Sequence, residues 1–134
     1  MRVSLDTNVL VSAFATRGVC AEVLRIVLAK DTLVTGEVVL QELRRVLRKR
    51  IGLPPRAVEE IDEILREHEV APKPAARASS PNRDPDDQWV VASAIASRVD
   101  VLVTGDRDLL DIATAASPKI VDPRGFWDLV RKNG

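Results

Sequence analysis

Short runs of Val, Leu and Ile alternate along this chain with longer stretches of helical periodicity, and that alternation leaves few folds open. Strands that are joined through helices come back parallel to one another, because a parallel pair needs a crossover too long for a hairpin turn. Val3-Ser4-Leu5 reads as a strand that hands over to a helix near Asn8 carrying Val9, Leu10, Val11 and Ala13. Arg17-Gly18 breaks that helix. A second, about 21–29, aligns Val23, Leu24, Val27 and Leu28 in one stripe. Residues 31–35 (Asp-Thr-Leu-Val-Thr) form the next strand, punctuated by Gly36. A third helix, about 37–50, turns Val39, Leu43, Val46 and Leu47 inward and crowds Arg44, Arg45, Arg48, Lys49 and Arg50 over the rest. Gly52 ends it, and Pro54-Pro55 opens an acidic fourth helix reaching about His68. Val70-Ala71 is a candidate short strand.

Residues 72–81 (Pro-Lys-Pro-Ala-Ala-Arg-Ala-Ser-Ser-Pro) have loop composition and are long for a connection inside a compact domain, as a mobile or a functional loop is. A fifth helix, 85–97, is apolar around most of its surface and is expected to be buried. The run 100–104 has the continuous apolar character of a central parallel strand. Gly105-Asp106 turns into a short helix with Leu109, Leu110 and Ile112. A last strand, 119–121, precedes a helix opened by Pro123 and carrying Phe126, Trp127 and Val130. The expectation is an α/β chain with a parallel sheet of about four to five strands, helices on both faces, and one domain over 1–134.

Four carboxylates fall where such a fold can gather them. Asp6 follows the first strand, Asp106 follows the strand 101–104, Asp87 lies in the first turn of the fifth helix, and Glu42 borders the apolar face of the third. In an open parallel sheet ligands bind at the carboxyl ends of the strands. Each carboxylate also has a plain explanation. Asp6 and Asp106 suit helix caps, Asp84 and Asp87 suit the start of the fifth helix around Pro85, and Glu42 suits an ion pair with Arg45. Together, four carboxylates at one sheet edge repel unless a cation sits among them, and Mg²⁺ and Mn²⁺ take oxygen ligands of this kind.

Absences narrow the chemistry. His68 is the only histidine and Cys20 the only cysteine, so neither a histidine pair, a Ser-His-Asp triad, a cysteine-rich zinc site nor an internal disulfide is available. No glycine-rich phosphate loop is present. Twenty basic and twenty acidic residues cancel, leaving no global field for a polyanion. The sequence shows no signal peptide and no membrane span, and a cytoplasmic location is the expectation.

Four segments together give the sequence a family resemblance: Leu5-Asp6-Thr7-Asn8-Val9-Leu10, Val39-Leu40-Gln41-Glu42-Leu43, Asp84-Pro85-Asp86-Asp87 leading into Val90-Val91-Ala92-Ser93-Ala94, and Leu102-Val103-Thr104-Gly105-Asp106. In this order the chain resembles the PIN-domain nucleases, in particular the VapC-like toxin components of toxin–antitoxin pairs. The resemblance implies a Rossmann-like, three-layer PIN fold and a Mg²⁺- or Mn²⁺-dependent endoribonuclease that leaves a 5′-phosphate and a 3′-hydroxyl. It makes Asp6, Glu42, Asp87 and Asp106 the catalytic, metal-holding cluster. Asn8 and Thr104 become polar helpers, Asp84 either joins the site or caps its helix, and Asp108 faces solvent. It further implies a homodimer and a cognate antitoxin whose tail enters the active-site groove.

An RNA substrate needs cations along its backbone, and Arg44, Arg45 and Arg48 ride on the helix that carries Glu42. The plain alternative is a solvated helix face with basic residues toward its carboxyl end. The acidic fourth helix is expected to lie away from the groove. Phe14, Phe126, Trp89 and Trp127 are the only aromatics, too few for a stacking platform, so both tryptophans are read as core or dimer-interface residues. Two other functions remain open. One is a catalytically inactive PIN-like binding module. The other is a phosphohydrolase with Asp6 as nucleophile, against which stands Asn8, where such enzymes place a second Asp.

Overall fold

The computed structural model describes residues 1–75, 85–111 and 118–133, with the backbone alone for 85–87 and 133. Five strands, β1 (Arg2–Leu5), β2 (Thr32–Gly36), β3 (Glu69–Ala71), β4 (Val101–Val103) and β5 (Lys119–Val121), form one sheet in the order β3-β2-β1-β4-β5. Every neighbouring pair is parallel. The helices that flank the sheet are α1 (Thr7–Ala15), α2 (Val19–Lys30), α3 (Glu37–Val46), α4 (Pro55–Arg66), α5 (Pro85–Ala96), the short α6 (Arg107–Leu110) and α7 (Pro123–Asn133).

β1 lies at the centre, with Val3 beside Leu33 of β2 on one side and Leu5 beside Val103 of β4 on the other. Val3, Leu5, Val101, Leu102 and Val103 are all buried, as a strand covered on both faces requires. The one polar residue in the interior of β1, Ser4, satisfies its hydroxyl by donating to the Val34 carbonyl at 2.6 Å. The chain leaves β1 toward β2 and β3 in one direction and passes through β4 to β5 in the other. The strand order therefore reverses between β1 and β4, and a crevice opens at their carboxyl ends.

Two expectations change. The third helix is not a single α-helix to Arg50: α3 stops at Val46, and a widened π-helical turn over Leu47–Ile51 follows. That turn keeps Leu47 in the core while Arg48, Lys49 and Arg50 stand in solvent. Gly52 closes it in the left-handed conformation, at φ 81°, with its N–H donating to the Leu47 carbonyl. The fifth helix is buried on one side only. Val90, Val91, Ser93 and Ala94 face inward, whereas Ile95 is 55% exposed. Its apolar composition hid a normal two-faced helix.

The inward face of α5 comes unusually close to β2. A Cβ placed on Gly36 would lie 2.5 Å from the Ser93 hydroxyl oxygen, so glycine at the end of β2 and serine on α5 set the approach of that helix. Pro72 to Ala75 of the loop are described, and the rest of 72–81 lies outside the described residues, as does Ile112. Among the described residues no helix is long and apolar enough to cross a membrane.

Candidate active site

Asp6 is the first residue past β1 and is only 6% exposed. Its N–H donates to the Val103 carbonyl of β4 at 2.9 Å, which fixes the backbone of the two strands together at the crevice. Its carboxylate caps α1, with Oδ1 accepting the Thr7 N–H at 2.8 Å. Oδ2 accepts the hydroxyl of Thr104 at 2.8 Å. The Thr104 oxygen in turn accepts the Asp106 N–H at 3.0 Å, and Asp106 caps α6 by accepting the Asp108 N–H on Oδ1 at 2.9 Å. The capping role foreseen for both aspartates is real.

Capping does not account for the electrostatics. Burial pushes the Asp6 carboxyl above its ordinary range. The hydrogen bonds from Thr104 and Thr7 pull it back down, and the neighbouring negative charge of Asp106 pushes it up again. Each Asp6 oxygen has one protein donor and keeps a further lone pair. A buried carboxylate with spare lone pairs thus lies near a second carboxylate at the switch point.

Glu42 lies elsewhere on the rim. Val38, Gln41, Glu42 and Arg45 share one face of α3 at helical spacing. With Trp89 and Val90 of α5 and Lys73 beyond β3, they line an open groove of roughly 350 Å³. The Lys73 ammonium sits 4.5 Å from the centre of the Trp89 ring. Such cation–π contacts contribute about 0.5–1 kcal/mol at exposed sites. Trp89 is thus a wall of this groove rather than a core residue. Neither Lys73 nor the groove was foreseen, although the spacing 38, 41, 42, 45 was there to be read.

The other expected residues divide clearly. Asp87 lies in the first turn of α5, the helix that carries Trp89, but its side chain and all of Asp84 lie outside the described residues. Asn8 is exposed in the first turn of α1, and Thr104 is fully buried. Asp108 is exposed, as expected. Among the described residues, no three His, Cys, Asp or Glu side chains come together in a group able to hold a metal ion.

Arg44 does not stand toward the groove. It pairs with Glu59 and with Asp62 of α4, the latter at 3.4 Å, while Arg66 binds Asp62 at 2.8 Å and Glu37 at 2.7 Å. The hydrogen bond from Arg66 holds the Glu37 carboxyl below its usual range. The acidity of α4 is thereby matched by arginines on α3 and on α4 itself, and no α4 residue is among the described groove walls. Arg45 and Arg48 are exposed.

The fold is thus a parallel α/β sheet with two aspartates at its switch point. The PIN domain model matches residues 2–108, and the chain belongs to that family. No curated protein matches it in sequence. Among solved structures, it is similar to VapBC2 from Rickettsia felis bound to a DNA fragment from their promoter. The TM-score is 0.61 at 17% identity over 91% of this chain and 98% of that one. It is also similar to VapC20 from Mycobacterium tuberculosis, a sarcin-ricin loop cleaving toxin. Here the TM-score is 0.59 at 18% identity, covering 80% of this chain and 92% of that one. At these identities the likeness shows the fold, and the five-stranded parallel arrangement agrees with it.

Proposed function

We propose that this chain is a Mg²⁺- or Mn²⁺-dependent endoribonuclease, acting as a single PIN domain and serving as the toxin of a toxin–antitoxin pair in the cytoplasm. The observation that carries the reading is the buried Asp6 carboxylate, held by Thr104 opposite Asp106 at the sheet's switch point. Family membership and the cleaving toxin among the structural neighbours support it.

The proposed donor set suits a hard divalent cation, since carboxylates offer oxygen ligands only. Asp6 and Asp106 would hold it, with Asp87 and Glu42 completing the cluster and Asp84 and Asn8 in support. A bound ion of this kind supplies charge neutralisation at a phosphodiester and a nucleophile at neutral pH. The chain's own residues do the rest. Thr104 keeps Asp6 aimed and favours its ionised form, Asp6 and Asp106 would hold negative charge where a cation is wanted, and Arg45 and Arg48 would offer positive charge to the RNA backbone. A homodimer and a cognate antitoxin belong to the same reading, the latter supported by a structural neighbour solved as VapBC2.

The test is cleavage of single-stranded RNA with Mg²⁺ or Mn²⁺ and with chelator, for wild type, Asp6→Asn and Asp106→Asn. Cleavage that needs the metal and disappears in both variants supports the reading; equal cutting by Asp6→Asn sinks it. A wild type that binds RNA and cuts none would instead mark the chain as an inactive binding module.

A further inference from the structure

The groove on α3 has a composition that a metal site alone does not call for. Its floor on α3 runs from Val38 through Gln41 and Glu42 to Arg45, and its far wall is the indole of Trp89 with Lys73 laid over the ring. Glu42 lines the groove and is a member of the proposed acidic cluster, so on that reading one end of the groove lies beside the phosphodiester to be cut. Two cations, an aromatic face and an amide side chain are the components of a seat for one unpaired nucleotide. The ring stacks a base, Lys73 and Arg45 meet the phosphates, and Gln41 offers both a donor and an acceptor.

We propose that this groove is a nucleotide subsite of the nuclease, in which Trp89 stacks one base of single-stranded RNA next to the scissile bond. The inference rests on the ribonuclease reading and adds to it the region of substrate recognised. Lys73 acts as a stand-in on the empty ring. An exposed cation–π contact is weak enough for a nucleobase to displace, and the released ammonium has a phosphate within reach of its flexible stem. The occupant is RNA rather than an apolar segment because the groove carries Arg45 and Lys73, and Arg48, Lys49 and Arg50 extend positive charge beyond Arg45 along the chain. Stacking accepts any base, so the subsite selects for an unpaired nucleotide more than for a sequence.

The test is a cycle between protein and substrate. Cleavage of a short single-stranded RNA is measured for wild type, Trp89→Ala and Trp89→Phe, each on intact RNA and on RNAs with one abasic nucleotide at successive positions around the cut. For Trp89→Ala, KM is expected to rise about tenfold with a far smaller change in kcat, while Trp89→Phe recovers most of it. At one position the abasic substitution should cost the wild type a similar factor and cost Trp89→Ala nothing further. An unchanged KM in Trp89→Ala overturns the subsite and leaves the groove to a protein segment. Losses from the variant and the abasic nucleotide that simply multiply overturn it too, because Trp89 then acts only through packing. Those results leave the nuclease standing, whereas a wild type that cuts no RNA removes both.

Discussion

The hydroxyl of Thr104 donates to Oδ2 of Asp6 at 2.8 Å and accepts the N–H of Asp106 at 3.0 Å. One fully buried side chain thus ties together the residues that follow β1 and β4, the two strands between which the sheet order reverses. Thr104→Val keeps the shape and removes the hydroxyl. It should cost about 1–3 kcal/mol, since it leaves a buried carboxylate oxygen and the Asp106 N–H without their partner. The same loss removes one of the two bonds that pull the Asp6 carboxyl down, so the acidic limb of the pH–rate profile should move to higher pH. Urea denaturation and a pH–rate profile read the two effects, and Thr104→Ser should restore both.

Asp6 itself trades stability for charge. Its carboxyl is raised in the folded protein, chiefly by burial. Between the unfolded and the folded value, the folded state holds a proton that the unfolded state has lost. Stability from this group therefore falls as pH rises through that window and stays reduced above it. Asp6→Asn removes the penalty and keeps a side chain suited to capping α1. At neutral pH the variant should melt above the wild type, and the gap should close once the pH is below the unfolded value. A variant that melts lower at neutral pH would show that the Thr104 bond outweighs burial.

The approach of α5 to β2 gives a packing prediction. Gly36→Ala places a Cβ against the Ser93 hydroxyl and should destabilise by about 1–3 kcal/mol, the usual cost of overpacking. Ser93→Ala should relieve much of that cost in the double variant, a coupling that denaturation of all four proteins measures directly. Because α5 carries Trp89 and has Asp87 in its first turn, the single variant should also lower activity more than the double one.

Arg44 and Arg45 are adjacent in sequence but differ in surroundings, Arg44 pairing with α4 and Arg45 lining the groove. Arg44→Ala breaks a solvent-open pair with Glu59, for about 0–1 kcal/mol, and a 3.4 Å contact with the buried Asp62, which keeps Arg66, and should leave the salt dependence of RNA binding unaltered. Arg45→Ala should change stability by less than about 0.5 kcal/mol and lower the slope of log affinity against log salt by about one. Filter binding across a salt series separates them.

The sheet was legible because 101–103 and the first strand are short apolar runs bounded by turn-forming residues, which leaves a helix little room. Asp6 and Asp106 were legible for the same reason, since the end of a strand is a position sequence can mark. The π-helical turn was not, because the apolar spacing of Leu43, Val46 and Leu47 fits both helix types over so short a stretch. The exposure of Ile95 was hidden by composition: an apolar helix gives no sign of which side meets solvent. The Lys73–Trp89 contact and the pairing of Arg44 with α4 depend on how separate elements pack, and no local pattern encodes that.

The measurement that reaches the central claim most directly is a calorimetric Mn²⁺ titration of wild type, Asp6→Asn and Asp106→Asn, run at two pH values. The account predicts saturable binding in the wild type that tightens at the higher pH, as the raised Asp6 carboxyl gives up its proton, and that is lost in both variants. Binding of equal strength in wild type and Asp6→Asn would contradict it and return Asp6 to the role of a buried helix cap.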